Sequence, residues 1–298
     1  MTAILLVGND GSRSAEGGTG ACIARTKRFN HALDEAGFSV SVLSPLEGAR
    51  GAAEVKRSLE KESYDCIVAI SPFPAEAVVI ADPDIPVWID MNGTHPAEIQ
   101  LQGNEDNKGR ERLVRILALE NSLLMRGDGF STPSRRQAFA VTGELLLLGR
   151  MGVKPTETIP VEPVPHCSLG KYVGKEKSAA EFRIISTGSF NQWFDEITLF
   201  KALESVMEKD EKVEFISTGG QVPFSPDKYD NFRKMVENSS FRNRFKLHGW
   251  IQYDELLEIY NSASAAIYTD IPVLESILGA RTRVLGWIMR GIPVICTE

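Results

Sequence analysis

Short apolar runs alternate with longer amphipathic stretches along this chain, and this pattern limits the folds open to it more than any other feature. Continuous apolar strands separated by helices are typical of a parallel, doubly wound sheet, because helices cover both of its faces. We predict strands at residues 3–7, 39–43, 66–70, 87–90, 129–132, 159–161, 183–187, 214–218, 245–248, 265–269 and 293–296. Helices are predicted at residues 20–36, 53–62, 109–126, 133–148, 195–208, 228–237, 253–262 and 282–290.

The alternation stops once, near the middle of the chain, and then begins again. Residues 153–170 carry four prolines and little helical pattern, which indicates a linker between domains. A chain of 298 residues has room for two domains of ordinary size. The sequence therefore predicts an α/β protein with two Rossmann-like domains, residues 1–165 and 166–298.

Charge and cysteine content exclude several classes of protein. The formal net charge of -7 argues against a nucleic-acid partner. The cysteines Cys22, Cys66, Cys167 and Cys296 form no CxxC pair, which favours buried free thiols in a reducing cytoplasm over a zinc site or disulfide framework. The first ten residues lack the basic and apolar regions of a signal peptide, so a cytoplasmic protein is expected.

Polar and glycine-rich segments follow two strands of the first half. Glycines including Gly8, Gly11, Gly17 and Gly18 lie between the first strand and the first helix, where the backbone could approach an anionic ligand. Their order is not GxGxxG and no acid ends the second strand, which disfavours a nicotinamide cofactor; a flexible surface loop is the alternative. Asp90 and His95 follow the fourth strand, at the edge where open α/β sheets bind ligands, unless they belong to a solvated turn.

Arginines cluster at the start of the predicted helix 133–148. Ser131 or Thr132 could cap this helix, while Arg135 and Arg136 fall in its first turn. Basic residues there oppose the helix dipole, which a bound anion would explain, but surface arginines are common and are the alternative.

The second half repeats the arrangement of polar residues after strands. Gly188, Asn191 and Trp193 follow its first strand, and backbone amides from Gly188 onward could form a nest for a diphosphate. Gly219 follows the next strand, and His248, Gly249 and Trp250 end the one after it. Arg281 and Arg283 open the last helix, where two guanidinium groups could bind a diphosphate; a pair of surface ion pairs is the alternative.

These segments resemble those of the retaining glycosyltransferases of family four and their relatives (group 1). The resemblance rests on Glu275-Ser-x4-Arg281-Thr-Arg283, on Gly291-Ile-Pro293-Val294-Ile295 and on Asn191-Gln-Trp193-Phe-Asp195. It implies the glycosyltransferase B architecture, with two domains that face a cleft. It also implies transfer of a sugar from a nucleotide-sugar, which acts as a co-substrate, so no cofactor is expected.

The resemblance assigns roles to the residues named above. Arg281 and Arg283 would neutralise the leaving diphosphate, and Asp90 and His95 would act on the sugar or the acceptor. Glu275 is also expected among the catalytic residues. The donor-binding residues would be Gly17, Gly18, Gly188, Asn191, Trp193, Gly219, His248, Gly249 and Trp250. No Asp-x-Asp motif lies in a suitable loop, since Asp82-Pro-Asp84 precedes a strand, so no metal is expected. The acceptor would be a carbohydrate, a lipid-linked molecule or a protein, and a lipid acceptor leaves peripheral membrane contact open.

The chain departs from the family pattern in one respect. The common Glu-x7-Glu signature would place carboxylates where this sequence has Leu278 and Gly286. Two alternatives therefore stay open, a nucleotide-sugar epimerase on the same fold and a non-catalytic glycosyltransferase-like subunit. Because such folds continue beyond the strand that ends near Cys296, the chain is also expected to be a fragment of a longer protein with an incomplete second domain.

Overall fold

The computed structural model describes residues 1–13, 20–102, 107–154, 159–166, 181–222 and 225–297. The chain divides into two compact units, Met1–His166 with Leu278–Ala280 and Cys167–Ile277 with Arg281–Glu298. They are called unit 1 and unit 2 below, and each is built around its own parallel sheet.

Unit 1 contains a six-stranded sheet in the order β2-β1-β3-β4-β5-β6, with every neighbouring pair parallel. Its side chains alternate between two cores, because Leu5 and Val7 face one layer of helices while Ile4 and Leu6 face the other. Its elements are β1 Ala3–Val7, α1 Ala21–Glu35, β2 Ser39–Leu43, α2 Gly48–Lys61, β3 Cys66–Ile70, α3 Pro72–Ala81, β4 Val87–Asp90, α4 His95–Leu101, α5 Asn107–Arg126, β5 Gly129–Thr132, α6 Arg135–Leu147 and β6 Val161–Pro163.

Unit 2 contains a five-stranded parallel sheet in the order β11-β10-β7-β8-β9. Its core is rich in aromatic rings, with Phe190, Phe215, Phe232 and Phe245 in contact with one another. Its elements are β7 Phe182–Thr187, α7 Glu196–Lys209, β8 Val213–Thr218, α8 Pro226–Glu237, a 3-10 turn at Arg242–Arg244, β9 Phe245–Leu247, α9 Tyr253–Ser262, β10 Ala265–Tyr268, α10 Leu274–Leu278, α11 Thr282–Ile288 and β11 Val294–Cys296.

Several predicted elements need correction. Residues 72–81 form helix α3, which the sequence analysis did not predict, and His95 begins helix α4 instead of lying in a loop. Helix α10 was also not predicted, and strand β6 lies at Val161–Pro163 instead of 159–161. Pro133 precedes helix α6, whose cap is Ser134: its Oγ accepts a hydrogen bond of 3.1 Å from the amide of Gln137.

Two expectations about membranes and thiols can be compared with the structure. Within the described ranges, no helix has both the length and the apolar character that a bilayer span requires. Cys22, Cys66 and Cys296 are free thiols as expected, but the first two are only half-buried and Cys296 is exposed. Cys167 lies outside the described residues.

Candidate functional site

The chain order reverses across the sheet of unit 2 between strands β7 and β10. At such a switch point the connections leave in opposite directions, which opens a crevice at the carboxyl ends of the strands. Gly188 follows β7 and Asp270 follows β10, so both lie at this edge. Ligand binding is therefore expected first among the residues around these two positions.

Three glycines end the neighbouring strands β7, β8 and β9, and all have positive φ angles. The angles are 99° at Gly188, 85° at Gly219 and 68° at Gly249, a backbone conformation that favours glycine. Close packing adds a second constraint, because a Cβ on Gly219 would lie 2.1 Å from the carbonyl oxygen of Gly188. The edge of the sheet is therefore free of side chains at these positions, so a ligand can approach the backbone.

Arg283 lies beside this edge, in the first turn of helix α11. Its Nη2 donates a hydrogen bond of 2.9 Å to the carbonyl of Ser189, and its Cζ lies 4.8 Å from the ring centroid of Tyr268. The helix is anchored one turn later, where buried Trp287 donates from Nε1 to the hydroxyl of Thr187 at 3.1 Å. No carboxylate of the described chain lies within ion-pair distance of Arg283. Most of its N–H donors are thus available to an anion.

Arg281 has different surroundings, although only one residue separates it from Arg283. Its Nε donates to Asp270 Oδ2 at 2.5 Å, and its Nη1 lies 3.6 Å from Glu275 Oε1. The guanidinium carbon Cζ of Arg281 also lies 5.5 Å from the ring centroid of Trp193. The buried carboxylate of Glu275 and the half-buried carboxylate of Asp270 therefore already neutralise Arg281. Glu275 is buried beside Arg281, so the role predicted for it in catalysis would be exerted through Arg281.

Trp193 and Asn191 lie in the segment between β7 and α7. Trp193 is half-buried and donates from Nε1 to the hydroxyl of Tyr268 at 3.0 Å, which joins it to the Arg281 cluster. Burial raises the pKa of Tyr268 to about 12, so this hydroxyl keeps its proton at neutral pH. Asn191 is half-buried, and its carbonyl accepts a hydrogen bond from Phe194.

The predicted amide nest is only partly open. The amide of Gly188 donates to the carbonyl of Thr218, and the amide of Phe190 donates to the carbonyl of Gly220. Both bonds hold the β7–α7 segment against the neighbouring strand end, so neither amide is available to a diphosphate. The predicted nest of amides from Gly188 onward would therefore lack these two donors, and Gly188 leaves open space where other residues carry a side chain.

A pocket of about 510 Å³ lies next to the glycines at the ends of β8 and β9. Its lining residues are Gly219, Gly220, Gln221, Val222, Tyr229, Asp230, Arg233, Gly249 and Trp250. Trp250 is 66% exposed, so its indole ring is accessible for stacking. Gly219, Gly249 and Trp250 were predicted from the sequence to bind the donor, whereas the contribution of helix α8 was not. His248 is exposed and does not line this pocket.

In unit 1, Asp90 is fully buried in a network at the end of strand β4. Its carboxylate accepts hydrogen bonds from Arg25 Nε at 2.5 Å, from Arg25 Nη2 at 2.6 Å and from Ser131 Oγ at 2.7 Å. Asp90 is 0% exposed and Arg25 is 2% exposed. A carboxylate paired in this way holds helix α1 to the sheet, so this geometry does not favour the catalytic role that was predicted for Asp90.

His95, which was predicted to contact the sugar or the acceptor, lies at the start of helix α4. It is half-buried at the first residue of α4, with its ring at 85° to that of Phe73 and 5.8 Å between the centroids. Its Nδ1 has no hydrogen-bond partner among the described residues. Burial lowers the pKa of His95 to about 4, so the imidazole is neutral at pH 7 and can exchange hydrogen bonds with a ligand.

The β4–α4 connection that presents His95 is fixed by a residue to which the sequence analysis gave no role. Gln137 on helix α6 is buried, and its Nε2 donates to the carbonyls of Met91 and Gly93. Gly93 has a φ of 104°, which favours glycine at this turn. Gln137 and Gly93 are 44 residues apart in the chain, so no local sequence pattern predicts this contact.

Three other expectations concern the surroundings of the site. Gly17 and Gly18 lie outside the described residues. In the described ranges, no three His, Cys, Asp or Glu side chains are grouped as a metal-binding cluster would require. Arg135 and Arg136 are both exposed in the first turn of α6.

The fold has been compared with known proteins. No protein-family model matches the chain, and no curated protein matches it. A sucrose-phosphate synthase from Thermosynechococcus elongatus superposes with a TM-score of 0.62 at 15% identity, covering 99% of this chain and 81% of that one. HepE from Anabaena, solved with UDP and glucose, superposes with a TM-score of 0.63 at 14% identity. This superposition covers 99% of the present chain and 80% of HepE.

A third solved structure, the apo form of the lipopolysaccharide outer core galactosyltransferase WaaB, gives a TM-score of 0.58 at 10% identity. It covers 99% of this chain and 80% of its own. Likenesses at such low identity establish the fold alone. The fold predicted from the sequence is confirmed: this chain has the glycosyltransferase B fold.

Proposed function

We propose that the protein is a glycosyltransferase that moves a sugar from a nucleotide-sugar, a UDP-sugar in the first instance, to an acceptor. The observation that carries this proposal is the position of Arg283 beside Gly188, at the switch point of the sheet in unit 2. HepE, which has the same fold, was solved with UDP and glucose, which supports the choice of donor. The fold alone hosts several activities, so the site carries the argument.

Arg283 is the residue best suited to bind the donor diphosphate. A Cβ on Gly188 would lie 3.3 Å from its Cζ, so the space above Gly188 is directly next to the guanidinium group. Negative charge grows on the diphosphate as the bond to the sugar breaks, and a fixed cation there stabilises the transition state more than the bound substrate. The pocket beside Gly219, Gly249 and Trp250 would hold the nucleobase.

His95 would contact the sugar or the acceptor through its imidazole. Because the pKa of His95 is lowered to about 4 by burial, its contribution is a hydrogen bond and not a positive charge. We further propose that the reaction retains the configuration at the anomeric carbon and needs no divalent metal, since Arg283 supplies positive charge to the leaving group. The acceptor would be a carbohydrate, a lipid-linked molecule or a protein.

The test is a donor screen by mass spectrometry, followed by an assay of UDP release with and without a chelator. Release that depends on an added acceptor and persists in the chelator would support a metal-independent transferase. Interconversion of the donor sugar without an acceptor would instead assign an epimerase. Tight UDP binding without turnover of any donor and acceptor pair would assign a non-catalytic subunit, and activity that only magnesium or manganese restores would overturn metal independence.

A further inference from the structure

In the described chain, the two sheets end in four outer strands, β2 and β6 in unit 1 and β9 and β11 in unit 2. An outer strand has a free row of N–H and C=O groups, which natural proteins protect by short length, charge or proline. β6, β9 and β11 have three residues each; β6 contains Glu162 and Pro163, and β9 contains Lys246. β2 differs from them, because its five residues, Ser39–Leu43, include neither a charge nor a proline.

The free side of β2 can be identified from its bonds to β1. The amide of Ser39 donates a hydrogen bond of 3.0 Å to the carbonyl of Thr2. Backbone groups alternate in direction along a strand, so every second residue from Ser39 points to β1, and Val40 and Val42 point away from it. Within the described residues, no backbone group of Val40 or Val42 has a hydrogen-bond partner. The outer side of β2 is therefore open to another strand.

The side chains of β2 also alternate between its two faces. Val40 packs against the smaller core of unit 1, while Val42, on the same face, is 39% exposed. Ser41 lies on the opposite face, and its Oγ donates a hydrogen bond of 3.3 Å to Glu62 Oε2. β2 therefore presents to a partner strand an unpaired backbone, a β-branched apolar side chain and a small hydroxyl group.

We propose that β2 pairs with the β2 strand of a second copy of the chain, antiparallel and about a two-fold axis at Ser41. In this register the outward groups of Val40 in one copy face those of Val42 in the other, and roughly four backbone hydrogen bonds form across the axis. The register also brings valine next to valine on one face and Ser41 next to Ser41 on the other. The two six-stranded sheets would then form one continuous sheet.

A second copy is favoured over another protein because β2 is complementary to itself. A two-fold interface uses the same surface of both subunits, so it requires a strand whose pattern matches its own reverse. β2 meets this requirement around Ser41, which has a valine on either side, and the strand carries no charge that the axis would place against itself. Glu62 contacts Ser41, but repulsion between two exposed carboxylates is weak in water and is screened by salt. The inference does not depend on the proposed transferase activity.

The experiment measures the oligomeric state of the full chain by sedimentation velocity over a range of protein concentrations. The wild-type chain should show a monomer–dimer equilibrium, which 0.5 M salt should not weaken because the strand pair contains no ion pair. Val42→Lys should raise the dissociation constant of the dimer at least tenfold, since lysine is a natural protection of outer strands. Ile80→Lys is the matched control, because Ile80 is 46% exposed on α3 of the same unit and should leave this constant unchanged.

A cysteine placed at the axis tests the register of the two strands. Opposite residues of a non-hydrogen-bonded antiparallel pair have Cα atoms about 4.5 Å apart, which is within the range of a disulfide. Ser41→Cys should therefore give a disulfide-linked dimer on mild oxidation. Ser39→Cys is the control for the native cysteines and should form no bond through position 39, because the two Cα atoms would be roughly 14 Å apart. Peptide mapping by mass spectrometry identifies the bond in each variant.

Circular dichroism would confirm that each variant is folded. A wild-type chain that stays monomeric at every concentration would overturn the proposal, and binding of an extended peptide to the β2 edge of that monomer would assign the strand to another protein. A dimer that Val42→Lys leaves intact would place the interface elsewhere and overturn the proposal as well. Equal cross-linking through positions 39 and 41 would contradict the two-fold register at Ser41.

Discussion

Arg281 and Arg283 show how differently the fold can use two identical side chains. Both were expected to bind the donor diphosphate, and their spacing in the sequence gave no reason to separate them. The structure pairs Arg281 with Asp270 and Glu275, while Arg283 contacts a carbonyl and an aromatic ring. Their substitution should therefore affect different properties.

We predict that Arg283→Ala weakens UDP binding by roughly ten- to a hundredfold, since a charge-assisted contact is worth about 1.5–3 kcal/mol. Arg283→Lys should restore part of the affinity, because an ammonium group lacks the planar fork of donors. Isothermal titration calorimetry measures both. Arg242→Ala is the matched control, since Arg242 is exposed in the 3-10 turn of the same unit and should leave UDP affinity unchanged.

Arg281→Ala should instead destabilise unit 2, because it leaves buried Glu275 and half-buried Asp270 without their cation. Removing one partner of such a buried cluster costs on the order of 3–5 kcal/mol. Denaturant unfolding would measure this loss. If Arg281→Ala unfolds like the wild type while UDP binding is lost, then Arg281 is the phosphate ligand and the assignment to Arg283 is wrong.

Strands were the elements most accessible from the sequence, whereas three helices were missed. β1 and β3 are continuous apolar runs, and such runs are buried wherever the sheet is covered on both faces. Helix α3 was missed because Pro72 and Pro74 indicate a loop. Pro72 nevertheless fits the first helical position, where its missing N–H donor costs nothing. Helices α4 and α10 have seven and five residues, too few for a periodic pattern.

The elements that carry the candidate site could be placed from the sequence, but several contacts within it could not. A glycine after a strand predicts an open sheet edge, which placed Gly188 and Gly219 correctly. The burial of Asp90 depends on Arg25, which is 65 residues away in the chain and on another element. Local patterns contain no information about a pairing of that kind, so Asp90 seemed equally suited to bind a substrate.

Helices α5 and α6 bring together two carboxyl groups that local patterns also do not reveal. Glu120 is 7% exposed, and burial together with the nearby Glu144 raises the pKa of Glu120 to about 8. An unfolded glutamate has a pKa of about 4.3, so unfolding releases a proton throughout the interval between these values. The stability of unit 1 should therefore fall as the pH rises toward 8.

We predict that Glu120→Gln stabilises unit 1 at pH 8, because a neutral amide needs no proton to remain buried. The gain should be of the order of a few kcal/mol at pH 8 and should vanish below about pH 4.5. Thermal unfolding at both pH values measures it. Glu111→Gln, an exposed position on the same helix, is the control and should change stability little at either pH. An equal effect of Glu120→Gln at both pH values would show that the substitution acts through packing and not through protonation.

At the scale of the molecule, the groups with large pKa shifts near neutral pH all belong to unit 1. His95 and His166 are the clearest cases, with pKa values lowered to about 4. Burial is the main cause in both, and Arg25 and Arg28 add to it for His166. Unit 2 contributes a single histidine, His248, which is exposed. The two units should therefore respond differently to pH.

The sign of each contribution fixes the shape of the pH profile of unit 1. A histidine with a lowered pKa is protonated more readily when unfolded, so its stabilising contribution is complete above pH 6.5 and is lost as the pH falls toward 4. Glu120 acts in the opposite direction up to pH 8. Three other groups of unit 1 act outside the pH range in which the two histidines and Glu120 titrate. They are Cys66, whose pKa is raised, and Asp10 and Glu54, whose pKa values are lowered.

We therefore predict that the free energy of unfolding of unit 1 is greatest near pH 6.5. Below this pH the two histidines outweigh Glu120 and the smaller upward shift in the pKa of Glu144, and each proton changes the slope by about 1.4 kcal/mol per pH unit. Trp88 is the single tryptophan of unit 1, so denaturant titrations of the Trp88→Phe variant would identify the fluorescence change that belongs to this unit. His166→Gln should flatten the acidic limb and Glu120→Gln the alkaline limb. An unfolding midpoint of unit 1 that does not change between pH 5 and 8 would contradict these assignments.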